Sequence, residues 1–266
     1  MKVGIFYNKK YYSEEKPYIA SINKAFSPYC REVSSHNDLD GVDVLFVLGG
    51  DGTILNIASE CAKRGVRIIG INYGHMGFLA EFEQDKLDDA IELMKSNNYS
   101  VQKRSMLEVI SGSDNYFALN DLVIQRSTVG DRFINTVSVR AEIDGATVDN
   151  FSSDGIIVST PTGSTAYSLS AGGSVLTPDI NAFILTPVCP HSLHSRPIVY
   201  SDKSILKLST DNSSDLGLII DGKAVGWVKR GEEVTVKKAT YTVDFITKTD
   251  KNFFDKLLIK LNKWSK

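Results

Sequence analysis

Three groups of residues carry most of the chemistry in this sequence. The first is Gly49-Gly50-Asp51-Gly52-Thr53, set between an apolar run and a segment with helical spacing. Glycines at these positions let the backbone turn sharply and come close to a ligand. The free amides at the start of the following helix favour an anion such as phosphate. A carboxylate does not help to hold phosphate, so Asp51 needs another task there: general base, hydroxyl orienter or metal contact. A plain strand-to-helix turn would use Asp51 only as a cap. Position and composition together favour the functional reading.

The second group is Asn120-Asp121, after the apolar pair Ala118-Leu119. An amide beside a carboxylate offers donors and acceptors that suit ribose hydroxyls and a purine edge, although a simple turn has the same composition. The third is Asp154-Gly155, a strand-like Ile156-Ile157-Val158, and then the block from Ser159 to Gly173. Ten of those fifteen residues are Gly, Ser or Thr. Hydroxyls and bare amides at that density suit a polar ligand, and Tyr167 in the centre offers a flat partner for a base. A long polar loop is the bland alternative.

Other motifs are missing or weak. No Gly-x4-Gly-Lys-Ser/Thr occurs, so this is not a P-loop protein. The segment Gly50 to Leu55 begins like a dinucleotide fingerprint but has Leu55 where the third glycine belongs, which disfavours a Rossmann dehydrogenase. Cys189-Pro190-His191-Ser192-Leu193-His194 makes a poor zinc pattern, with one thiol and no partner pair. His75, in Gly74 to Phe78, suits a loop or pocket residue better than a base. No nucleophile elbow is present.

The elements that must position these residues fall into two regions. Up to about Ser100 the pattern alternates strand and helix. Val3 to Tyr7 is a short strand, Pro17 opens a helix with Ile19, Ile22 and Phe26 on one face, and Val42 to Leu48 suits a strand buried on both faces. Helical spacing follows over Thr53 to Lys63 and Leu87 to Met94, with a strand at Val66 to Ile71 between them. This is the signature of a parallel, doubly wound layer. From Leu107 to Ile246 the apolar runs are short and β-branched, as at 133–139, 155–159, 216–220 and 234–236. Asp144-Gly145 and Asp221-Gly222 are hairpin dipeptides. Phe253 to Leu261 is helical again. Its neighbourhood from Lys248 to Lys266 holds six Lys and two acids, which suits a solvated helix face.

Composition bounds the rest. The 266 residues are 42% hydrophobic and 23% charged, enough for one large or two modest cored domains. Thirty basic against 32 acidic residues give a net charge of −2, which argues against a nucleic-acid role. Three scattered cysteines (Cys30, Cys61, Cys189) suit a reducing compartment. The apolar run at the amino terminus is too short for a signal peptide, and no stretch has the length of a membrane span. A cytoplasmic protein is expected, with no membrane partner.

Taken together, Gly49 to Thr53, Asn72 to Leu79, Asn120-Asp121, Asp154-Gly155 and Ser159 to Gly173 resemble the ATP-dependent NAD kinases, which make NADP. The glycine-rich element is shared with lipid kinases and phosphofructokinase-like enzymes. The Thr-Pro-Thr-Gly-Ser-Thr-Ala-Tyr-Ser block is far more specific. The resemblance implies an α/β plus β architecture. A phosphofructokinase-like α/β domain (1–101 with 249–266) would carry the Gly-Gly-Asp-Gly loop, and a β-sandwich-like domain (102–248) would carry NAD. It implies ATP as donor, a divalent metal such as magnesium, and a homodimer or homotetramer. By position, Asp51 matches the essential acid, Gly52 its neighbouring contact, and Asn120 and Asp121 the pair that holds adenosine. Asp154, Thr165, Ala166, Tyr167, Ser168, Leu169 and Ser170 match further nucleotide contacts. One departure is Ser152, where many members carry Arg; the contact made by that Arg is then absent or supplied elsewhere, as by Arg126 or Arg132, which leaves the phosphoryl donor open between ATP, another NTP and polyphosphate. The competing readings are a lipid or sphingoid-base kinase, which needs an apolar cleft, and a catalytically silent NADP-binding module, which has no use for Asp51.

Overall fold

Val44-Leu45-Phe46-Val47-Leu48 has no polar position, a pattern suited to a strand covered on both faces. In the computed structural model it is a parallel strand with all five residues buried. The structure describes residues 1–8, 12–73, 77–126, 136–192, 194–212, 214–248 and 253–264. It divides into two compact units, Met1–Arg104 with Thr242–Lys266, and Ser105–Tyr241.

The first unit runs β1 (Val3–Tyr7), α1 (Tyr12–Phe26), β2 (Cys30–Glu32), β3 (Val44–Leu48), α2 (Asp51–Arg64), β4 (Arg67–Asn72), β5 (Phe82–Glu83), α3 (Leu87–Ser96), then into β6 (Ser100–Ser111). The strands pair in parallel in the order β2-β1-β3-β4, with β5 beside β4. Alternation sends Val44, Phe46 and Leu48 into one cluster with Ile19 and Ile22 of α1 and Leu87, Ala90, Ile91 and Met94 of α3. Leu45 and Val47 take the other face. The apolar stripe of α2, Ile54, Ile57, Ala58 and Cys61, is buried as well. Pro17 does not open α1 but lies inside it. Burial of Ile19 and Ile22 on the sheet offsets the one hydrogen bond the proline cannot make.

The second unit continues with β7 (Asp114–Ala118), β8 (Asp121–Gln125), β9 (Val137–Ile143), β10 (Ala146–Ser153), β11 (Gly155–Ser159), α4 (Tyr167–Ser170), β12 (Ala182–Val188), β13 (Ile198–Ser201), β14 (Leu206–Thr210), β15 (Leu216–Ile220), β16 (Lys223–Val228) and β17 (Glu233–Thr247); α5 (Phe253–Trp264) follows. One antiparallel sheet has the order β13-β12-β11-β8-β15-β16. The other contains β10-β9-β14-β17, with β6 pairing β17 and β7 pairing β6. Leu122, Ile124, Ile156, Val158 and Leu218 of the first sheet share a core with Val139, Phe151, Leu208 and Val236 of the second. The unit is therefore a β-sandwich. Both predicted hairpins form, with left-handed pairs at Asp144-Gly145 (φ 50° and 82°) and Asp221-Gly222 (φ 46° and 77°).

The division between units falls at 104 and 241, inside β6 and β17, rather than at 101 and 248. No turn residue marks either point, because each strand continues through it. At the far end of β17, Phe245 pairs in parallel with Ile68 of β4. The lysine-rich tail is not wholly a solvated face. Lys256 of α5 pairs with the buried carboxylate of Glu81, and Phe253 lies 6.5 Å from Phe78, ring centre to ring centre.

Candidate active site

β3 ends at Leu48, and the Gly49 N–H donates to the Ile71 carbonyl (3.0 Å), keeping the turn against β4. Gly50 starts α2 without a side-chain cap, and Asp51 is the first helical residue. Asp51 is therefore not the cap of its own helix. Its carboxylate instead accepts the Phe78 N–H (2.7 Å) and the Leu79 N–H (3.1 Å) from the loop after β4. A Cβ on Gly77 would fall 1.8 Å from Asp51 Oδ1, so only glycine admits this approach. Gly50 and Gly52 are different: among the described residues, a Cβ on either meets nothing within 4 Å. Thr53 is buried. Gly74, His75 and Met76 lie outside the described residues.

The Asn120-Asp121 turn joins β7 to β8 and is held from two sides. The amides of Leu119, Asn120 and Asp121 all donate to the Asp221 carboxylate (2.8, 2.7 and 3.0 Å). Thr160 donates its N–H to the Asn120 carbonyl (2.9 Å) and its hydroxyl to the Leu119 carbonyl (2.5 Å). A Cβ on Gly163 would lie 2.1 Å from that Asn120 carbonyl, so the polar block also needs a glycine to pack here. With the backbone satisfied, the Asn120 and Asp121 side chains remain for other partners. Burial, and secondarily the charge of Asp221, push the Asp121 carboxyl up to about 7. Burial raises Asp221 as well, against the pull of its three amides and Lys223.

The block from Ser159 to Gly173 departs from the expectation of an open array of hydroxyls. Ser159, Thr160, Thr162, Ser164, Thr165 and Ser168 are buried. The Ser164 hydroxyl donates to the Pro161 carbonyl (2.6 Å) and accepts the Leu176 N–H (3.0 Å); Ser168 bonds Thr186 (3.0 Å). These hydroxyls satisfy a buried turn that has no backbone ladder. What remains outward is Ala166, Tyr167, Leu169 and Ser170 on or beside α4, with Tyr167 41% exposed. Partial burial, then Cys189, Asp154 and Asp121 in turn, raise the Tyr167 phenol. Asp121, Asp154 and Tyr167 therefore gather in one place in the second unit. Asp154 is paired with Arg126 (3.1 Å), while Ser152 is exposed and its carbonyl accepts the His191 N–H (2.9 Å). Arg126 thus supplies a cation next to Asp154; Arg132 lies outside the described residues.

Residues 5–99 match the family model of the ATP-NAD kinase N-terminal domain, and residues 119–248 match that of the ATP-NAD kinase C-terminal domain. The chain belongs to the NAD kinase family. Among its relatives, the NAD kinase of Caldanaerobacter subterraneus is 38% identical over 253 residues, covering 92% of this chain and 88% of that one. The NAD kinase of Sulfurimonas denitrificans is 40% identical over 223 residues, covering 82% and 77%. The fold is that of yeast NADH kinase, solved with NADH (TM-score 0.86, 24% identity, 98% of this chain and 87% of that one). It is also that of an Archaeoglobus fulgidus NAD kinase solved with ATP (TM-score 0.79, 24% identity, 98% and 99%).

In this member of the NAD kinase family, Asp221 reads in the sequence only as a hairpin residue, and its grip on the Asn120-Asp121 turn is visible in the structure alone. Nothing local signals that grip, since the partners are about 100 residues away. Among the described residues no group of three or more His, Cys, Asp or Glu could hold a metal ion, and Cys189 and His194 are exposed.

Proposed function

We propose that this chain transfers the terminal phosphoryl group of ATP to the 2′-hydroxyl of the adenosine ribose of NAD, making NADP. The observation that carries the reading is Asp51, a carboxylate held by two amides at a helix start that has no side-chain cap. Anionic phosphates belong over such a start, and Gly49, Gly50, Gly52 and Thr53 form its loop. As the ribose oxygen bonds to phosphorus and the bond to the ADP oxygen breaks, Asp51 takes the hydroxyl proton. Asn120 and Asp121 read the adenosine. Tyr167, with Ala166, Leu169 and Ser170 beside it, covers the base, and the buried Thr165 and Ser168 support the turn that carries it. Asp154, paired with Arg126, completes the contacts.

The donor set fits magnesium, a hard ion bound through one or two carboxylates and substrate phosphates. Asp51 is the carboxylate of this loop that would hold it. The metal, when bound, neutralises charge on the phosphates. Free Cys30, Cys61 and Cys189 support a cytoplasmic setting, and among the described residues no helix is long and apolar enough to cross a membrane. A homodimer or homotetramer built through the second unit completes the proposal. A coupled assay with ATP, magnesium and NAD should yield NADP. No product from NAD, with the protein folded, would overturn the reading.

A further inference from the structure

We propose that Asp221 is a positioning residue for nucleotide recognition: its carboxylate fixes the backbone from Leu119 to Asp121 and so sets where Asn120 and Asp121 present their side chains. The inference rests on the reading of those two residues as adenosine contacts.

Three consecutive amides converge on one carboxylate at 2.7 to 3.0 Å. Asp221 returns its own N–H to the Asp121 carbonyl (2.9 Å), so the two segments exchange bonds in both directions. A hairpin turn alone does not call for this. Asn-Gly builds the same left-handed pair as Asp-Gly. What selects the acid is its acceptor-only character: a carboxylate offers about four lone-pair sites, whereas an Asn in its place turns a donor NH2 towards an N–H. Asp221 adopts a left-handed φ of 46°, a conformation that non-glycine residues seldom take, and this conformation is part of the arm that reaches the turn. On the opposite side, Thr160 holds the Leu119 and Asn120 carbonyls. The turn is therefore clamped between Thr160, just beyond β11, and the β15–β16 hairpin.

The arrangement has an electrostatic consequence. Asp221 is the charged group that acts on Asp121, Lys223 acts on Asp221, and Tyr167 is the titratable neighbour on α4. The negative charge of Asp221 helps to keep Asp121 protonated near neutral pH, as a donor rather than a second anion.

The test measures NAD affinity by calorimetry and steady-state kinetics in Asp221→Asn, across pH 5.5 to 8. The affinity should fall by about ten- to a hundredfold, the scale of stranded charged hydrogen bonds, with kcat within a few-fold of the parent. The midpoint near pH 7 in the pH dependence of NAD affinity should move to lower pH, because a neighbouring negative charge is gone. A merely structural role would lower the melting temperature and leave the NAD affinity of the folded protein in place. Asn120→Ala with Asp121→Ala separates the two readings. If that pair leaves NAD affinity unchanged, the adenosine assignment fails, whatever Asp221 does. If the pair weakens NAD and Asp221→Asn then adds its full factor on top, the positioning role is overturned; a combined loss well below the product supports it. Gly222→Ala keeps the carboxylate but strains the turn (φ 77°), and should weaken NAD in the same direction by a smaller factor. Should Asp221→Asn not fold, unchanged NAD affinity in Gly222→Ala overturns the inference.

Discussion

Asp51 is tied to the loop after β4 through two amides, so its oxygen positions are set by main chain rather than by a mobile side chain. That is the preorganisation a proton acceptor needs. Asp51→Asn keeps the size but removes the base, and turnover should fall by at least about a hundredfold with NAD still bound. Near-normal turnover would remove Asp51 from the transfer step. Asp121 permits a prediction about stability. Its carboxyl lies near 7 in the fold against an ordinary value of about 4. Between those values the folded chain binds the extra proton, so its contribution to stability falls as pH rises and the cost is complete above about 7. Asp121→Asn should therefore raise the melting temperature at pH 8 and change it little at pH 4.5. Equal shifts at both pH values would contradict the burial argument. At this scale Asp51 stands out in the sequence, because a carboxylate among glycines has few structural uses. Asp221 does not, because its role depends on contacts a hundred residues away.

At the scale of elements, period and turn chemistry located most strands and helices. Runs dominated by apolar residues became the parallel strands β3 and β4, and Asp-Gly pairs became hairpins. The polar block was harder to read. Composition registers hydroxyls but not their direction, and here most point inward to satisfy a turn. The proposed binding contribution of the block therefore falls to α4, whose four residues raise Tyr167 into solvent. If the ring packs on adenine, Tyr167→Phe should keep most NAD affinity and Tyr167→Ala should lose about 1–2 kcal/mol. Tyr167→Ala binding NAD as tightly as the parent would leave α4 without that role. The loop after β4 gives a companion case. Gly77→Ala places a methyl group into Asp51 Oδ1, so it should reduce turnover more than NAD affinity. A normal turnover number would show that the carboxylate can move without consequence.

Among the described residues each unit has a large core of its own, one under a parallel sheet and one inside a sandwich. A switch of hydrophobic pattern near residue 100 foretold this, whereas the division points were hidden inside continuous strands. Two cores mean that a single melting temperature is a poor measure of ligand binding, since a chain of this kind need not unfold in one step. Binding at about a hundred times the dissociation constant stabilises the liganded state by about 2.7 kcal/mol, and that energy first protects whichever segments must open to release the ligand. Amide hydrogen exchange locates it. With NAD present, exchange should slow in the Leu119–Asp121 turn, in β8 and β11, and around α4, where Asp121, Asp154 and Tyr167 gather. Asp51→Asn should retain this protection, because it removes chemistry and leaves the adenosine contacts in place. Asp121→Ala should lose most of it. Protection absent from these segments in the parent protein, at NAD concentrations that saturate turnover, would place the adenosine elsewhere and overturn the division of labour between the two units.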